Sequence, residues 1–147
     1  MGNIIPQPSR LVGWLFALAA LIASGHAPAF AQHNTDLGDP AASAAAILVK
    51  EIARDEEILS APMNMARLRQ TREKLGRDLP EKQKVIAGLK DMGASGSLAE
   101  ALKVLEETYA AEKMVFDDIR ISDPAQIRAA RALREGLPRK KEALRAL

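Results

Sequence analysis

Glu112 interrupts an apolar helical seam, between Tyr109 and Phe116. Burial penalises a carboxylate's charged form and raises its pKa, which would suit it to acid or base work. Paired with an arginine such as Arg72 or Arg131, the same residue would set helix register instead. These three residues, Glu112, Arg72 and Arg131, are the functional candidates of the chain. Other chemistry is sparse. His33 is the one histidine after residue 31, and no His or Cys cluster has metal-ligand spacing, which excludes zinc and histidine-bearing di-iron sites. Met63-Asn64-Met65 carries two soft thioethers that suit Cu(I), although methionines at a helix start more often pack.

The acid doublets Glu56-Glu57, Glu106-Glu107 and Asp117-Asp118 are adjacent in sequence, so each pair points to different helix faces and reads as solvated. There is no nucleophile elbow, no histidine to activate a serine and no glycine-rich phosphate loop. No catalytic residue, cofactor or metal is therefore expected.

Charge and composition narrow the partners. The chain holds 21 Lys and Arg against 19 Asp and Glu, and Arg10 is the one base in the first 31 residues, so the remainder has a net charge of +1. Only Tyr109 and Phe116 remain there as aromatics, too few for base stacking, so nucleic acid is not an expected partner. Arg139-Lys140-Lys141 could touch anionic lipid, so membrane contact is at most peripheral.

The N-terminus gives an address. Arg10 precedes an apolar run, Leu11 to Ser24, and Ala29-Phe30-Ala31 has the small-x-small pattern of a cleavage site. The run is shorter than the roughly 20 residues of a membrane span. The expectation is an export signal over residues 1–31 cleaved near Ala31, a flexible leader over 32–38 and a single domain over 39–147, periplasmic or secreted. An uncleaved anchor is the rival reading. The chain has no Cys, so the exported domain would be held by packing alone.

Helical signals fill that domain. Asp39-Pro40 forms an N-cap and N1 pair opening a helix to about residue 59. Met65, Leu68 and Leu75 share a face of a second helix over 63–75, which Gly76 is expected to close. Asp78 is expected to cap a third, carrying Leu79, Val85, Ile86 and Leu89. Gly93 to Gly96 is a loop, and Ser97-Leu98-Ala99-Glu100 reads as a capping box. The helix it opens carries Leu98, Leu102, Leu105, Tyr109, Phe116 and Ile119 on one stripe, with Ala101, Val104, Thr108, Ala111 and Val115 beside it. Ser122-Asp123-Pro124 caps the next helix, which Gly136 is expected to end before a short last one. The fold class is all-α, a small antiparallel bundle of about four to six helices.

The halves share a layout at an offset of 58 residues. Leu79-Pro80 and Leu137-Pro138 both interrupt basic stretches, and net charge runs −4, +5, −4, +5 over residues 36–57, 67–90, 100–118 and 120–147. Two pseudo-repeated hairpins, each pairing an acidic with a basic helix, would produce this pattern; chance in an Ala-rich helical chain is the alternative.

Leu79-Pro80-Glu81-Lys82-Gln83 resembles the L-T-x-x-Q motif of the Spy/CpxP family of periplasmic helical chaperones and stress sensors, with Pro80 at the threonine position. Leu137-Pro138-Arg139-Lys140-Lys141 is a poorer second copy that lacks the Gln as well. The resemblance implies a cradle-shaped dimer that holds unfolded clients. The functional expectation is an exported, non-enzymatic protein that binds other exported or envelope proteins, with a homodimer as one fitting arrangement. The alternatives are a structural component of an envelope or secretion assembly and a small helical enzyme using Arg, Lys and Glu.

Overall fold

The computed structural model describes residues 38–147. The expected signal segment, the leader up to residue 37 and His33 lie outside the described residues. Four helices account for most of the rest: α1 (Pro40–Leu59), α2 (Met65–Asp91), α3 (Ser97–Asp117) and α4 (Asp123–Ala146). Links of five residues join them, so successive helices run antiparallel. Each of α1 and α3 lies beside both α2 and α4. There is no strand among the described residues, and the fold is an all-α bundle.

Two helix starts form as expected, at Asp39 and Ser122, and Asn64 caps α2 just beyond the expected start at residue 63. The Asp39 carboxylate accepts from the Ala41 and Ala42 amides at 3.0 and 3.3 Å. Asn64 accepts from the Arg67 amide at 2.8 Å, and Ser122 Oγ from the Ala125 amide at 3.4 Å. The Ser97 capping box does not form. Gly96, at φ 59°, is the N-cap of α3, and its carbonyl takes the Ala99 and Glu100 amides. Glycine enters this left-handed region without the Cβ clash other residues meet.

Gly76 and Gly136 do not end helices. α2 runs unbroken through Gly76 and Pro80, and α4 through Gly136 and Pro138. The glycines serve close approach instead. A Cβ on Gly76 would stand 2.8 Å from Phe116 Cε2, and one on Gly136 would stand 3.3 Å from Thr108 Cγ2. Each marks a point where α3 presses against a neighbouring helix.

The interior is layered along the bundle axis. One apolar layer gathers Ala44, Ile47, Leu48, Val85, Ile86, Leu89, Ala101, Leu105 and Ala143. A second gathers Leu68, Leu75, Leu79, Val115, Ala125 and Ala129 toward the opposite end. Tyr109 packs against both. On α3 the buried face is mostly the small stripe, Ala101, Thr108 and Val115 with Leu105 and Glu112. Ile119, expected on the seam, falls beyond the helix end and is 88% exposed. Acidic and basic helices meet around the whole perimeter, through Lys74–Glu57, Lys141–Glu56, Lys90–Glu106 and Arg139–Glu107. Such exposed pairs each contribute only about 0–1 kcal/mol.

Candidate functional site

Between the two apolar layers lies a layer of charge. Glu51, Arg54 and Asp55 come from the middle of α1, Lys82 from α2, Glu112 from α3 and Lys140 from α4. All six are at most 6% exposed. Each stands where helical spacing calls for a core residue. Lys82, for example, follows Leu79 by three and precedes Val85 and Ile86 by three and four, so its stem lies among buried aliphatics.

The six groups bond to one another, with Thr108 and Asp78 as outer partners. Lys82 Nζ donates to Glu51 Oε2 at 2.9 Å, Thr108 Oγ1 at 2.8 Å and Glu112 Oε2 at 3.0 Å. Lys140 Nζ donates to Asp55 Oδ2 at 2.7 Å and Glu112 Oε1 at 2.5 Å, and lies 3.1 Å from Glu51 Oε2. Arg54 donates to Asp55 at 2.8 and 3.0 Å, to Glu112 at 2.7 Å and to Asp78 at 3.2 Å. Glu51 Oε1 lies 2.9 Å from Lys82 Nζ but accepts no hydrogen bond. An ammonium has three N–H donors, and Lys82 directs all three elsewhere. Three carboxylates face three cations, so the layer is neutral.

Burial alone would raise the Glu112 pKa. Lys82, Lys140 and Arg54 outweigh it and bring the carboxyl down to about 2. The buried Glu112 of the sequence analysis is therefore present, but as a firmly ionised group rather than a proton donor near neutrality. Burial lowers the Lys82 pKa against the pull of Glu112 and Glu51, with Lys140 adding to the fall. Lys140 is equally buried yet shifts upward, because Asp55 joins Glu112 and Glu51 around it. A slip of one helix by a turn would leave these charges buried and unpaired, so the layer holds the four helices in register.

Arg72 and Arg131 do not pair with Glu112. Arg72 donates to the Val115 and Arg120 carbonyls at 3.1 and 2.7 Å, which satisfies the C-terminal end of α3. Arg131 reaches Glu135 at 4.0 Å on the surface of α4. The two arginines instead line one groove of about 580 Å³ between α3 and α4, with Ala111, Met114, Val115, Ala125 and Ala132 as its apolar wall. Arg120 and Arg128 join them on the rim, both bound to Asp118. Around this end Met114 is 72% exposed and Ile127 62% exposed, and Phe116 is partly exposed.

Comparison with protein-family models, with curated proteins and with solved structures returned no match.

Among the described residues no group of three or more His, Cys, Asp and Glu side chains could hold a metal ion. The two methionines proposed for Cu(I) are divided, with Met63 packed against the second apolar layer and Met65 exposed. The basic triplet of α4 is not a lipid-facing strip. Lys140 is buried, Arg139 pairs with Glu107 and Lys141 with Glu56. Sequence reasoning missed Glu51, Arg54, Asp55, Lys82 and Lys140. The available signal was the phase of each lysine, on the line of its helix's apolar residues within a repeated Leu-Pro-x-Lys.

Proposed function

We propose that the protein is exported and acts by binding other proteins, through the α3–α4 groove and the apolar side chains around it. The carrying observation is the exposure of Met114, Ile119 and Ile127 at one end of a bundle whose interior has no shortage of aliphatic core. Soluble domains expose large apolar side chains singly as a matter of course; several gathered at one end of a bundle, Met114 in the α3–α4 groove and Ile127 in a neighbouring one beside Met63, mark an interaction surface. Methionine adapts its shape to varied partners, and arginine is enriched at interfaces. A surface of this kind suits unfolded or partly folded polypeptides, which offer apolar segments of many sequences. The resemblance to the Spy/CpxP motif and the export signal in the sequence support the same reading. Among the described residues no helix is long and apolar enough to cross a membrane.

The test is suppression of client aggregation by the chain lacking residues 1–31. The Met114→Asp/Ile119→Asp variant should lose at least about fivefold in the concentration needed, with its helical circular dichroism unchanged. Equal potency of variant and parent would refute the surface. Crosslinking to one stoichiometric envelope complex, without any effect on aggregation, would select a structural component of an assembly in its place.

A further inference from the structure

The two hairpins superpose in sequence more closely than the 58-residue layout suggests, once α1 is set against α3 at an offset of 57 and α2 against α4 at 58. The first alignment pairs Ala44 with Ala101, Leu48 with Leu105, Asp55 with Glu112 and Ile58 with Val115. All eight are buried. The second pairs the capping residues Asn64 and Ser122, each accepting from the amide three residues on. It also pairs Leu75 with Leu133 and Lys82 with Lys140, again all buried. The extra residue falls in α3, which has 21 residues against 20 in α1, and both hairpin links have five.

The charged layer follows the same relation. Exchanging the hairpins turns Lys82–Glu112, 3.0 Å, into Lys140–Asp55, 2.7 Å. It turns Lys82–Thr108, 2.8 Å, into Lys140–Glu51, 3.1 Å. The neighbouring helix pairs α1 with α4 and α2 with α3 exchange likewise. The Lys140–Glu112 contact, 2.5 Å, has no Lys82–Asp55 counterpart, and two residue types differ between the copies. Glu51 stands opposite Thr108, and Arg54 stands opposite Ala111. One adds a negative charge and the other a positive, so the layer stays neutral.

We infer that the bundle is two copies of one helical hairpin joined in a single chain, α1–α2 and α3–α4. Each Leu-Pro-x-Lys segment is the element that docks its hairpin onto the first helix of the other, by an ammonium set on a buried carboxylate. The partner for which each hairpin face is shaped is a second hairpin of its own kind. Glu51 and Arg54 are a compensating pair added to one copy.

The experiment gives hairpin one the residues of hairpin two. Glu51→Thr and Arg54→Ala each leave one buried charge uncompensated, and each should lower the thermal midpoint by about 10 °C or more. The double variant restores neutrality, keeps Lys82 on Thr108 and Glu112 and Lys140 on Asp55 and Glu112, and should recover at least half of the combined loss. A double variant that loses the full sum overturns the inference. Should the single variants fail to fold, a cooperative helical melt of the double supports it and absence of one overturns it. A second measurement exchanges the order of the hairpins. Leu147 packs on the same apolar layer as Ala44 and Ala94, so a short linker can join the C-terminus to Asp39 with new ends in residues 92–96. That permuted chain should melt cooperatively with the parent's helix content and the parent's size in solution; an unfolded or aggregated product overturns the two-fold relation.

Discussion

The middle of the bundle and its α3–α4 end depart from the usual arrangement of side chains in opposite ways. In the middle, charge is buried where aliphatic residues would ordinarily sit. At the end, methionine and isoleucine stand in solvent beside a groove rimmed by arginine. The middle is closed on itself, with cations and carboxylates equal in number and the lysine donors used. The end is open, with Met114, Ile119 and Ile127 in solvent. The comparison teaches that polarity in an unexpected place is not in itself a sign of a working site. A buried ionic layer that is balanced in charge holds the helices in register, and the apolar side chains left in water lie at the surface.

The largest expected effect lies in the closed region. Glu112→Ala strands Lys82, Lys140 and Arg54 around one missing carboxylate, and should cost about 3–5 kcal/mol in urea denaturation. Met114→Ala at the open end should change stability by less than about 0.5 kcal/mol in the same assay. Comparable losses at the two sites would break the distinction between them.

Acid should act on the same layer. The Glu112 pKa is about 2 in the folded chain against a usual 4.5, so the carboxylate stabilises the fold fully above pH 4.5. That contribution, roughly 3 kcal/mol, is lost as pH falls from 4.5 toward 2. Thermal melts across this range should show the decline, and Glu112→Gln should flatten it. A parent midpoint that stays level from pH 5 to 2 would show that Glu112 is not held by its cations.

The two helix-interior glycines sharpen the contrast at smaller scale. Thr108 is fixed by its bonds to Val104 and Lys82, so its methyl cannot retreat from a new Cβ at position 136. Gly136→Ala should therefore destabilise by about 1 kcal/mol despite the helix propensity it gains. Phe116, half in solvent, can swing aside from position 76, so Gly76→Ala should fall within about 0.5 kcal/mol of the parent. Thermal melts of the two variants decide the order. Away from both regions, Asp39→Ala removes the α1 cap and should cost roughly 0.5–1 kcal/mol, visible as fraying in amide exchange at Ala41 and Ala42.

The sequence makes the helices legible because their signals are local. Asp39 and Ser122 each bond an amide within three residues, so no knowledge of the rest of the chain is needed. Gly76 and Gly136 mislead because their reason is tertiary. Each makes room for a helix far away in sequence, and a glycine with that task looks the same as one that stops a helix. Pro80 and Pro138 compound the error, since packing on both sides carries the helix past the missing donor. Glu112 can be found as a charged residue in an apolar seam. Its partners are harder to find: Arg54 looks like a member of an ordinary charged face, and Lys82 and Lys140 betray themselves only by their phase on the apolar lines of α2 and α4. Arg72 and Arg131 share a surface with one another, through contacts that depend on how α3 meets α4.

The sealed state of Lys82 and Lys140 has a practical consequence. A primary amine reacts with acylating reagents only as the free base and only when reagent can reach it. Of the nine lysines in the chain, these two should stay untouched while the bundle is closed, so the mass of the labelled protein becomes a clock for its opening.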